Sequence, residues 1–65
     1  MRRYFYKYGE FWMSCAGTSK AQVGNDLGEF AEEVLTEKEA QKRAKTDPEL
    51  AEAISAAALC DLMCN

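Results

Sequence analysis

The sequence predicts an α+β fold, an N-terminal two-stranded antiparallel hairpin packed on two or three helices, and three observations lead to it. Residues alternate in character around a Gly9-Glu10 turn signal, helical spacing takes over from Val23, and Asp47-Pro48-Glu49 opens a last segment that is nearly uncharged. A small all-α bundle is the competing architecture. With 65 residues there is room for one domain, spanning 1–65, and no second core.

Take the hairpin first, over about residues 3–16. With Gly9 as the first residue of a two-residue type II′ turn, Tyr8 faces Phe11, Tyr6 faces Met13 and Tyr4 faces Cys15. Those six side chains share one face, and the apolar count assigns that face to the core. Arg3, Phe5, Lys7, Trp12, Ser14 and Ala16 share the other, which is expected to face outward. Tyr4, Tyr8, Phe11 and Cys15 also fit a helical stripe, the basis of the all-α alternative. Gly9 inside a helix costs about 1 kcal/mol, which favours the hairpin.

Gly17-Thr18-Ser19 begins an expected loop over 17–25. Val23, Leu27, Phe30, Ala31, Val34 and Leu35 then follow helical spacing, and Asp26 with Glu29 has capping-box form, so a helix is expected over about 26–35. A third strand over 29–35 is the competing reading of that segment. Thr36 with Glu39 repeats the capping box and opens a helix over 37–45, whose only apolar face is Ala40 and Ala44. Asp47 caps the last helix, about 48–63, and Pro48 occupies its first helical position. Its stripe of Leu50, Ala51, Ile54, Ala57, Ala58 and Leu62 is apolar almost all round, so Ile54, Ala58 and Leu62 are candidates for a homodimer interface.

Charge divides the chain. Arg2, Arg3, Lys7 and Lys20 against Glu10 give residues 1–25 a charge of +3, and residues 26–65 carry −6, to total −3. Arg2 and Arg3 lead into a tyrosine-rich stretch rather than the apolar run of a secretory signal, and the run from Ala53 to Cys60 is too short to span a bilayer. The expected setting is cytoplasmic, with reduced thiols and no membrane contact.

The function classes narrow by chemistry. The chain has no histidine, which removes the usual general base and every Ser-His or Cys-His arrangement. Glu32 and Glu33 are adjacent and would diverge on a helix. No catalytic residue is assigned, and the protein is expected not to be an enzyme. Three cysteines, Cys15, Cys60 and Cys64, fall short of a four-ligand zinc site, so neither metal nor cofactor is expected.

Six of the seven aromatic residues lie between Tyr4 and Trp12, interleaved with Arg3 and Lys7. Aromatic and arginine side chains together dominate protein interfaces. The expected function is therefore a small non-enzymatic protein-binding module whose contact residues are Arg3, Phe5, Lys7 and Trp12. It would dock on and occlude a larger protein, in the manner of an inhibitor made by a phage or mobile element. The alternatives are a nucleic-acid-binding accessory protein using the basic aromatic hairpin and a homo-oligomeric structural module. The acidic balance weighs against nucleic acid.

Overall fold

The computed structural model describes the backbone of residues 1–64 and the side chains of residues 1–60. Strands β1 (Arg2–Tyr8) and β2 (Phe11–Gly17) form the expected hairpin with the expected register, from Tyr8 opposite Phe11 to Arg2 opposite Gly17. Gly9 has φ 61° and no non-glycine residue described has a positive φ, which is the type II′ combination. The fold is α+β, as the alternation and the helix signals indicate.

Residues 17–35 differ from the expectation. Helix α1 is Lys20–Leu27, inside the expected loop, and the expected helix over 26–35 is a single 3-10 turn, Gly28–Phe30, followed by strand β3, Glu33–Thr36. The cap of α1 is Ser19, whose Oγ accepts from the Gln22 N–H at 3.1 Å. Asp26 accepts from the Gln22 side-chain amide and caps nothing. Gly28, at φ 55°, ends α1 and donates its backbone N–H to the Gly24 carbonyl. The competing strand reading was the correct one for 33–36, where Val34, Leu35 and Thr36 pair with Tyr6, Phe5 and Tyr4.

The sheet order is β2-β1-β3, antiparallel throughout, with β1 in the centre. Helix α1 connects the two outer strands and sets Val23 against Tyr4 and Gly17 on one face. A Cβ on Gly17 would collide with Val23 Cγ2 and lie 3.6 Å from Tyr4 Cδ2, so this close approach requires glycine. Helices α2 (Glu37–Arg43) and α3 (Pro48–Cys64) cover the opposite face. There Phe5, Trp12, Leu35, Ala40, Leu50 and Ala57 form the core cluster, with Ala44, Ala53 and Ile54 packed against it.

Both later helices start where their signals place them. In α2, Thr36 Oγ1 accepts from the Glu39 N–H at 3.2 Å and the Glu39 carboxylate accepts from the Thr36 N–H at 3.1 Å. In α3, Asp47 Oδ1 accepts from the Leu50 N–H at 3.1 Å. Ala40 is fully buried, and its small side chain lets α2 lie close on the sheet.

Glu39 also accepts from Lys20 Nζ at 3.0 Å, tying α2 to α1. The Thr36 backbone hydrogen bond first, and then Lys20, hold its carboxyl below the ordinary 4.5. The unfolded chain therefore binds this proton at a higher pH than the folded one does. The stabilisation is present above pH 4.5 and disappears as pH falls through the lowered folded value. Thermal melts of Glu39→Gln and wild type are expected to differ at neutral pH and to converge in acid. A gap independent of pH would show that the Glu39 charge is not responsible.

Candidate docking surface

The sheet has two different faces because two helices, α2 and the long α3, cover one and the short α1 alone covers the other. Seven residues of strand span ~23 Å, whereas the eight residues of α1 reach only ~12 Å. One short helix therefore shields the Tyr4 end of its face and leaves the turn end open. Tyr8 is 48% exposed, Phe11 72% and Met13 46%, all on that face. Phe30, 68% exposed, extends the patch from the 3-10 turn, its ring centroid 6.1 Å from that of Tyr8.

This arrangement inverts the expected faces. Phe5 is 1% and Trp12 8% exposed, so neither lies on an outer surface. The reason is volume. Helix α2 turns its one alanine, Ala40, to the sheet and α3 is rich in alanine, and the large rings of Phe5 and Trp12 fill the space that Ala40, Ala53 and Ala57 leave. Lys7 and Arg3 share that covered face and are half-buried. Lys7 Nζ stands 5.9 Å from the centroid of Trp12, and Arg43 Cζ stands 5.6 Å from it. Arg43 also pairs with Glu33, so the indole is capped by a small charged group set. Arg3 lines a cleft at the far end of the sheet with Ser14, Lys38, Gln41 and Cys60.

Of the four expected contact residues, Phe5 and Trp12 are core, and Lys7 is drawn toward the indole. The three candidates for a helix interface separate as well. Ile54 packs inward against the core cluster and Ala58 is exposed, while the Leu62 side chain lies outside the described residues.

Carboxylates rim the open aromatic patch. Glu10 precedes Phe11 in the turn, and Glu29 and Glu32 flank Phe30; all three are exposed. The Glu32 N–H donates to the Lys7 carbonyl at 2.9 Å, which holds the 3-10 turn against the end of β1. Such a patch presents apolar rings inside a negative border.

Cys15 carries a free thiol, half-buried, and desolvation pushes it above its ordinary value, away from a reactive thiolate. Among the described residues no cluster of His, Cys, Asp or Glu is placed to hold a metal ion, and no helix is long and apolar enough to cross a membrane. No family model, curated protein or solved structure matches the chain.

Tyr8, Phe11, Met13 and Phe30 were not singled out as contact residues from the sequence. The available signal was Phe30, an aromatic residue isolated from the others between a glycine and a pair of acids.

Proposed function

We propose that this chain is a non-enzymatic protein-binding module that docks on a larger protein through Tyr8, Phe11, Met13 and Phe30. The carrying observation is that these four large side chains are exposed together on one sheet face while the opposite face is packed. Isolated exposed apolar residues are ordinary, but a contiguous aromatic group is not. The border of Glu10, Glu29 and Glu32 suits a partner whose docking surface is basic, and it would repel a phosphate backbone. If the covered surface is the partner's working surface, docking inhibits it.

The test is affinity capture from lysate with wild type and a Phe11→Ser, Phe30→Ser double variant. Both rings are exposed, so the variant is expected to keep its circular dichroism and melting temperature. Truncating interface anchors costs about 2 kcal/mol or more each, so the captured partner should be lost from the variant at equal loading. Retention by both forms, or capture of nothing specific by either, would overturn this reading.

A further inference from the structure

Strand β2 lies at the sheet edge, and its outer side pairs with no strand among the described residues. In a two-residue hairpin the closing pair, here Tyr8 and Phe11, exchange hydrogen bonds. The backbone of Phe11, Met13, Cys15 and Gly17 is therefore directed at β1, and the N–H and C=O groups of Trp12, Ser14 and Ala16 are directed outward. The strand carries no charge and no proline to guard that edge. Helix α3 lies over β2 on the Trp12 face, which makes the edge one wall of a groove. Glu49, Glu52, Ala53 and Ala56, at helical spacing along one side of α3, form the other wall, and Glu10 and Phe11 close the end. The two alanines keep the space beside the strand open, as a cleft of about 390 Å³.

We infer that this groove takes an extended basic segment of the partner, which adds to β2 as a fourth strand. The inference rests on the docking reading above and supplies the partner's chemistry. Two observations select this occupant. The first is the backbone: outward donors and acceptors at every second residue are matched by an extended chain, whereas a helix spends its own on itself. The second is charge. Glu10, Glu49 and Glu52 are exposed, and none pairs with a cation among the described residues. The ion pairs of Lys20 with Glu39 and Arg43 with Glu33 use other carboxylates. No described residue lining the cleft is basic, so lysine or arginine on the incoming strand completes it.

The pleat then fixes the pattern of the segment. Residues directly opposite each other in a sheet point to the same face. The incoming residue opposite Trp12 points to the α3 side, where Glu49 and Glu52 stand. Its neighbours, opposite Phe11 and Met13, point to the other side and cover those two exposed side chains. The segment therefore alternates basic and apolar residues, and one strand engages the carboxylates and the aromatic patch together. The chain's own basic strand, β1, is paired on both sides, so the segment comes from another protein.

The probe is a short end-blocked peptide alternating lysine and valine, compared with its glutamate–valine counterpart. Each is titrated into the reduced full-length protein while amide spectra are recorded. The lysine peptide should bind at least about tenfold more tightly than the glutamate peptide, weaken as salt rises, and protect the Trp12, Ser14 and Ala16 amides from hydrogen exchange. The double variant Glu49→Gln, Glu52→Gln should weaken it about five- to tenfold. Ser14→Pro removes an outward N–H that no internal strand uses, and should abolish the protection. Circular dichroism checks that each variant is folded, and the glutamine variant decides alone if the proline variant is not. Equal affinity for the two peptides, no binding at millimolar peptide, or shifts confined to residues away from the β2 edge would overturn the inference. The docking reading fails separately, in the Phe11→Ser, Phe30→Ser capture; a partner captured there without peptide binding here refutes the groove alone.

Discussion

Phe5→Ala is expected to abolish cooperative folding. Phe5 is 1% exposed on the central strand and belongs to the core cluster with Trp12, Leu35, Ala40, Leu50 and Ala57. Truncating a buried phenylalanine costs about 3–5 kcal/mol, through lost transfer energy and the cavity left behind. A domain of this size rarely has more than about 3–5 kcal/mol in total. The two figures meet, so the variant should show little helical circular dichroism and no sigmoidal melt at room temperature and above. Phe11→Ala, on the same hairpin, should melt within a few degrees of wild type. If the two variants ranked the other way, the assignment of faces would be wrong.

Leu50→Ala is expected to be nearly as damaging, for a related reason at a different place. Leu50 is the first buried residue of α3, fully inaccessible, and its N–H donates to the Asp47 cap. It is the point where α3 is pinned to the core before the helix runs out along β2. Deletion of its side chain should cost about 2–5 kcal/mol, and each kcal/mol lowers the melting temperature of so small a domain by about 4–8 °C. A fall of about 10 °C or more is therefore expected, followed by circular dichroism at 222 nm. Ala56→Ser, an exposed change in the same helix, should leave the melt unaltered. A fall of only a degree or two for Leu50→Ala would mean that α3 is held elsewhere.

The elements that could be read in advance were those with a local cause. Gly9 permits the positive φ of the turn, and the turn's length sets the register of all seven pairs in the hairpin. Thr36 with Glu39, and Asp47 with Pro48, satisfy their own helix ends within four residues. The segment 17–35 was harder because its signals conflict. Asp26 and Glu29 have the spacing of a capping box, yet Asp26 is engaged by Gln22 and Gly28 turns the chain out of the helix. Val34 and Leu35 look like neighbours on a helical stripe, but as strand residues they point to opposite faces of a sheet that is covered, in part, on both.

The candidate contact surface followed the same division. The sequence alone determined the α+β class, the hairpin register, the caps of α2 and α3, and the two groups of side chains that share a face. Those depend on spacing and on hydrogen bonds between near neighbours. Which group is buried was decided only in the tertiary structure. Counting apolar residues favoured the tyrosine face, but helices that turn alanine to the sheet require large rings opposite them, and Phe5 and Trp12 supply the volume. Helix α1 is too short to cover the other face, so Tyr8, Phe11 and Met13 remain outside. Burial depends on the shape and reach of elements distant in the chain, and alternation along one strand carries no information about either.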